Sequence, residues 1–105
     1  MTATAGASLD GEVLRLLADP LRAEIVRLLA GEQLCTCHLV ELTGARQSNV
    51  SNHLRALREA GLLQSEPCGR YTYHRLLPEA LARLGADLAA LAARAGGDLP
   101  RRPCP

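Results

Sequence analysis

Cys35 and Cys37, separated by Thr36 and followed by His38, are the residues whose types and spacing most directly offer chemistry. Two thiolates can hold a thiophilic ion, or be oxidised, without help from any catalytic group. Two further cysteines, Cys68 and Cys104, stand well apart from the pair. The opening MTATAGASLDGE has neither the basic start nor the apolar stretch of a signal peptide. The thiols are therefore expected to be reduced in the cytoplasm, where metal binding or redox chemistry outranks structural disulfides. Spacing also limits the geometry. In a regular helix, residues i and i+2 point about 200° apart, whereas in an extended segment they share one side. A chelating Cys35/Cys37 pair therefore requires extended backbone when loaded.

A second group carries a different chemistry. Gln47, Ser48, Asn49, Ser51 and Asn52 open a segment in which Val50, Leu54 and Leu57 recur at helical spacing. A helix that is polar at its start and apolar along one stripe can read base edges in a major groove while the stripe anchors it. Arg46, Arg55 and Arg58 suit phosphate contacts, and Arg70, between two short extended runs, suits a minor groove. Ser48 also reads as an ordinary helix cap. Residues 45–75 hold five arginines against Glu59 and Glu66, a local +3, while the rest hold seven arginines against nine acids, a local −2, which together give the net +1. One basic third in a near-neutral protein can face an anion, although scattered charges also simply solvate a surface.

The elements that must position these residues follow from composition and period. The 105 residues, 48% apolar, make one domain, and Leu and Ala supply 38 of them, which favours helices. Tyr71 and Tyr73 are the only aromatic residues, which argues against an all-β sandwich. No apolar run approaches a membrane span, so no membrane partner is expected. A first helix is expected from Ser8 through Leu17, and a second from Asp19-Pro20 to Gly31 with Leu21, Ile25, Leu28 and Leu29 inward. A short helix before Gly44 and a longer one from Gln47-Ser48 to Gly61 follow. Leu62–Glu66 and Tyr71–Leu76 read as a hairpin around Pro67-Cys68-Gly69-Arg70. Pro78 starts a last helix whose Leu81, Leu84, Leu88 and Leu91 form a 3-4-3 seam, either a core face or a dimer interface. The dimer is favoured, because pairing adds burial that a small chain needs. The division is a domain over 1–94 and a flexible tail over 95–105. This order, mainly α with a small β-hairpin, is that of a winged helix-turn-helix.

The stretches LADPLRAEIVRLLAGEQLCTCHL, LTGARQSNVSNHLRALREAGLL and GRYTYHRL, within residues 17–76, resemble the ArsR/SmtB metalloregulatory repressors in motif, order and spacing. The resemblance implies a homodimeric repressor that binds double-stranded operator DNA when metal-free and releases it on binding a metal or metalloid. The last helix would pair with its mate together with the first, which places Leu9, Val13, Leu81, Leu84, Leu88 and Leu91 at the interface. It also implies DNA contacts from Arg46, Gln47, Ser48, Asn49, Ser51, Asn52, His53, Arg55 and Arg70, with His53 serving a phosphate or a structural role. Cys35 and Cys37 fall where arsenic-sensing members carry ELCVC, and where lead- or cadmium-sensing members carry a similar pair.

Arsenic sensors of the family often carry a third cysteine three residues further on, where this chain has Val40. A third ligand would then come from Cys104, from Cys68 as the alternative, from solvent, or not at all. His38 is either a ligand or solvent-facing, and His74 is structural. Residues 78–95 contain Glu79 and Asp87 but no histidine, so the family's zinc site on that helix is missing. Another branch places cysteines where this chain has Ala56 and Ala60. Thiolates without a carboxylate pair favour soft ions. Arsenic(III) and antimony(III) are therefore the expected inducers, with cadmium or lead as the alternative. A thiol redox sensor on the same scaffold remains open. An enzyme is not expected, because neither a βαβ unit nor a phosphate loop is present, and a metallochaperone would leave the QSNVSNHLRALREAG segment unexplained.

Overall fold

The computed structural model describes residues 9–105. They form α1 (Gly11–Leu17), α2 (Pro20–Leu29), β1 (Leu34–Cys35), α3 (Thr36–Thr43), α4 (Gln47–Glu59), β2 (Leu63–Cys68), β3 (Tyr71–Leu76) and α5 (Pro78–Ala95). Aspartates start the first two helices. Asp10 Oδ1 accepts from the amides of Glu12 at 3.1 Å and Val13 at 3.2 Å, satisfying donors that a helix start leaves unpaired. The cap is thus Asp10, while Ser8, expected in that role, lies outside the described residues. Asp19 Oδ1 accepts from Leu21 at 2.9 Å and Arg22 at 3.1 Å, with Pro20 at the first helical position, where its missing N–H removes no bond. The Arg22 amide above all holds the Asp19 carboxyl below its ordinary range.

The α3–α4 turn is built on Gly44 and Thr43. Gly44 has φ 73°, the left-handed value that ends a helix. The Thr43 hydroxyl donates to the Leu39 carbonyl at 2.6 Å and accepts from the Ala45 amide at 3.2 Å. No atom lies within 4 Å of where a Cβ would stand on Gly44. Gly44→Ala is therefore expected to cost backbone strain alone, about 1–2 kcal/mol, seen in urea as a lower midpoint with an unchanged slope.

The core is aliphatic. Ile25 and Leu29 of α2, Leu39 of α3, and Val50, Leu54 and Leu57 of α4 meet Leu62 and Leu63, with Val13 and Leu84 closing the cluster from α1 and α5. The helical members lie on the stripes that helical spacing picked out, which is why α3 and α4 pack on α2 rather than stand free, and Leu62 and Leu63 join them at the start of the hairpin. Val13 and Leu84, expected at a dimer seam, are thus already buried within one chain. Leu81 and Leu91 are half-buried, and Leu88 and Leu14 are exposed.

The sheet differs from the expected hairpin in three ways. It has three strands in the order β1-β3-β2, because Leu34 pairs with His74 and Cys35 with Tyr73. Two residues carry no period of their own, so β1 depends on a partner almost forty residues away. The second difference is that β2 runs to Cys68, leaving only Gly69 and Arg70 in the turn. Gly69, at φ 64°, supplies the positive first position that a tight two-residue turn of the II′ kind needs. Third, Pro67 lies within β2, opposite Thr72. It is tolerated there because β2 is an edge strand and the ladder leaves that nitrogen on the free side. The last helix continues to Ala95, and residues 98–105 have no regular structure.

Candidate functional site

Cys35 occupies the junction between β1 and α3. It is extended, with φ −84° and ψ 168°, and acts as the N-cap residue, whereas Cys37 sits in the first turn of α3. Half of the requirement for a chelating pair is therefore met by the fold itself. Cys35 is buried and Cys37 exposed, both with free thiols. The two line one cleft of about 360 Å³ with His38, Tyr71 and Tyr73. An adjoining cleft of about 190 Å³ joins both cysteines to Gln47 at the start of α4 and to Arg70 and Tyr71 at the wing tip.

His38 is tied to this junction. Its Nδ1 accepts from the Cys35 amide at 3.2 Å and lies 3.3 Å from Cys35 Sγ. The ring also meets Tyr73 edge-on, with centroids 6.2 Å apart. Nδ1 spends its one lone pair on the Cys35 amide, so using it as a ligand would break that bond. The donor set is soft: two thiols, one imidazole and no carboxylate pair, which fits a thiophilic ion better than a hard one. Among the described residues no three His, Cys, Asp or Glu groups stand close enough to hold an ion together. Cys35 and Cys37 thus offer two thiols to one cleft.

The sheet register changes the place of Cys68. In chain order Cys68 stands well apart from the pair, but β3 pairs directly with β1. Opposed residues share a face and alternate ones return to it, so Cys35, Tyr73, Tyr71, Glu66 and Cys68 all lie on one face. Two strand spacings and two residues put the Cα atoms of Cys35 and Cys68 about 12 Å apart. Cys104 is exposed, beyond α5 in residues without regular structure.

On the recognition side, Arg46, Gln47, Ser48, Asn49, Ser51, Asn52 and Arg55 are exposed along α4 and Arg70 at the wing tip, while Val50, Leu54 and Leu57 hold the helix to the core. Arg55 donates to Asn52 at 3.0 Å, so these two side chains present one surface. His53 is half-buried instead. Its Nδ1 lies 3.4 Å from Arg22 Nη1 and its Nε2 3.8 Å from Asp19 Oδ1. Arg22 Nε in turn donates to the Leu16 carbonyl at 2.8 Å. His53 thus ties α4 to the end of α1 and the start of α2.

The sequence singled out none of the partners of His74. This side chain, 3% exposed, is the buried polar residue of the core among the described residues. Its Nδ1 is 2.7 Å from Ser65 Oγ and its Nε2 2.9 Å from Thr36 Oγ1. Alternation along β3 could have placed it inward, but its partners lie on β2 and α3 and become visible only with the register. Burial above all, with Arg58 nearby, pushes its pKa below the ordinary 6.5. The native state then binds fewer protons than the unfolded one, so this contribution to stability is complete above about pH 6.5. It is lost as pH falls from there towards the folded pKa. His74→Gln should flatten that decline when urea midpoints are compared between about pH 7 and pH 5.

Helix-turn-helix followed by a β-wing, with an exposed polar recognition helix and a thiol pair between them, defines the chain as a winged helix-turn-helix regulator. The comparisons carry this further. Residues 19–65 match the family described as bacterial regulatory protein, arsR family. The chain is 34% identical over 90 residues to the HTH-type transcriptional regulator KmtR of Mycobacterium tuberculosis, covering 86% of this chain and 69% of that one. It is 43% identical over 68 residues to the arsenic resistance transcriptional regulator ArsR1 of Pseudomonas putida, covering 64% and 53%. Among solved structures, a possible transcriptional regulator for arsenical resistance is 35% identical with a TM-score of 0.67, covering 82% of this chain and 98% of that one. The chain belongs to the arsR family of bacterial regulatory proteins, within the ArsR/SmtB group. That membership agrees with the winged fold and with the exclusion of an enzyme. The chain spans somewhat more than half the length of some curated relatives, 53% for ArsR1 and 59% for the HTH-type transcriptional repressor SmtB of Mycobacterium tuberculosis. Among the described residues no helix is long and apolar enough to cross a membrane.

Proposed function

We propose that the chain is a metal(loid)-responsive transcriptional repressor, binding double-stranded operator DNA as a homodimer and releasing it when arsenic(III) or antimony(III) binds Cys35 and Cys37. The observation that carries this reading is the cleft shared by both cysteines with Gln47 and Arg70. The thiols stand between the start of the recognition helix and the tip of the wing, so a ligand there meets both parts of a DNA-facing surface. Exposed Gln47, Ser48, Asn49, Ser51 and Asn52 supply donors and acceptors for base edges. Arg46, Arg55 and Arg70 supply phosphate and minor-groove contacts. His53 serves by holding α4 in place.

Bound arsenic(III) would draw two thiolates to one atom, and Cys35 and Cys37 are the residues that would hold it. A third ligand comes from Cys104, whose nine-residue separation from Ala95 spans up to about 30 Å, from Cys68 on the same sheet face as Cys35, from solvent, or not at all. Relatives named as an arsenic resistance regulator and, in Escherichia coli, an arsenical resistance operon repressor support the arsenic reading. Cadmium or lead on the same thiols is the alternative. The homodimer forms through α1 and α5, where Leu14 and Leu88 stay exposed on a single chain.

Fluorescence anisotropy on an operator fragment tests the reading, with arsenite, cadmium, lead, zinc and peroxide titrated separately at one stated ionic strength, since phosphate contacts make affinity salt-dependent. Release by arsenite supports it. Release by cadmium or lead alone changes the inducer, release by peroxide alone makes the chain a redox sensor, and failure to bind promoter DNA removes the repressor.

A further inference from the structure

We infer that Thr36 and His74 are positioning residues that transmit occupancy of the thiol pair to the recognition helix, through a hydrogen-bonded chain Thr36–His74–Ser65–Arg58. This rests on the proposed sensing role of Cys35 and Cys37 and adds the route by which that role reaches α4. The four side chains come from four elements. Thr36 opens α3 between the two cysteines, His74 is on β3, Ser65 on β2, and Arg58 in the last turn of α4. Thr36 Oγ1 is 2.9 Å from His74 Nε2, His74 Nδ1 is 2.7 Å from Ser65 Oγ, and Arg58 Nη1 donates to Ser65 Oγ at 3.1 Å.

The chemistry of the partners gives the chain a direction. Arginine only donates, so Ser65 accepts from Arg58. Its own proton is then free for His74 Nδ1, which leaves Nε2–H to donate to Thr36. A neutral imidazole has one donor and one acceptor, so both capacities of a buried ring are spent. Losing either partner strands a polar group where water does not replace it.

Thr36 is the point at which ligand binding must act. The register puts Cys35 and Tyr73 on one sheet face and Leu34, His74 and Ser65 on the other. The Thr36 hydroxyl turns to His74, and Thr36 lines both the cleft of about 190 Å³ that holds the two thiols and a cleft of about 250 Å³ that includes Ser51 and Arg58 of the recognition helix. Bringing two sulfurs at i and i+2 to one atom requires a change in the backbone between them, and that backbone is Thr36. Its hydroxyl cannot hold the 2.9 Å contact while both neighbouring peptides turn. The Thr36–His74 bond is therefore a contact made in one state and lost in the other, which is what coupling between two sites requires.

The test compares the unsubstituted protein with Thr36→Val, which keeps the shape and removes the hydroxyl, and with Ser65→Ala, which cuts the chain at its other end. Three readouts are taken: sulfur-to-arsenic absorbance for arsenite binding, operator anisotropy with and without arsenite, and ring-nitrogen NMR signals of His74. In the unsubstituted protein arsenite should shift the His74 signals and weaken operator binding roughly 5- to 150-fold, the usual span of allosteric coupling. Thr36→Val should bind arsenite with the same absorbance, yet weaken operator binding by no more than about twofold, well below that span. Ser65→Ala should likewise lose most of the weakening, and it carries the test if the valine variant does not fold. Full arsenite release in both variants, or His74 signals that ignore arsenite in the unsubstituted protein, overturns the route. Absence of arsenite binding or release in the unsubstituted protein overturns the sensing role first, and the route with it. The two failures are thus told apart before any variant is measured.

Discussion

Cys35→Ser should leave operator binding intact and abolish release by arsenite. The expected effect is large because the whole coupling is at stake, typically about 1–3 kcal/mol or roughly 5- to 150-fold in operator affinity. The position makes the experiment clean. Cys35 is extended and caps α3, and serine is among the best residues for that place, so the variant should keep its fold. What it loses is the thiolate. Cys37→Ser, on an exposed side chain in the first turn of α3, should behave the same way. Anisotropy with and without arsenite reads both, and normal release from both variants would show that the inducer binds elsewhere.

Leu57→Ala should be the most damaging single change to the recognition helix. Leu57 is fully buried at the centre of the core, where truncation of a leucine costs about 2–5 kcal/mol. A domain of this size has about 5–15 kcal/mol to lose, and each kcal/mol lowers the melting temperature by about 4–8 °C. Leu42→Ala on the neighbouring helix is the control: Leu42 is 55% exposed, and its truncation should change stability by no more than about 0.5 kcal/mol. Thermal melts of the two variants side by side settle whether the apolar stripe of α4, and not helix content in general, holds the reading surface in place. Equal losses would contradict the packing described here.

The helices were legible because each carries its own signals. Asp19-Pro20, Gly44 and the spacing of Val50, Leu54 and Leu57 are local, and local chemistry survives in a linear reading. The strand β1 was not legible, since two residues cannot display alternation and its partner lies on β3. The same non-local pairing hid the place of Cys68, which the chain order put away from the cysteine pair and the register put on the same face. Pro67 reads as a turn residue because proline usually marks one, whereas an edge strand accommodates it. At the site, the thiol pair and the polar face of α4 stood out by residue type. Thr36, Ser65 and the inward set of His74 did not, because hydroxyls are common and only tertiary pairing gives these two a role. His53 could be read as an external contact or an internal one from its motif, and the distances to Arg22 and Asp19 place it inward.

The brevity of β1 also has a bearing on time. A strand of two residues is held by very few backbone bonds, so it is the part of the sheet that opens with the least free energy, well before the β2–β3 ladder or the aliphatic core. Cys35 ends that strand and Thr36 follows it. Access to the buried thiol then depends on a brief local opening instead of on unfolding the domain. A response clock set by two residues can run fast while the molecule as a whole stays folded, and amide exchange at Leu34 and Cys35 would read its rate.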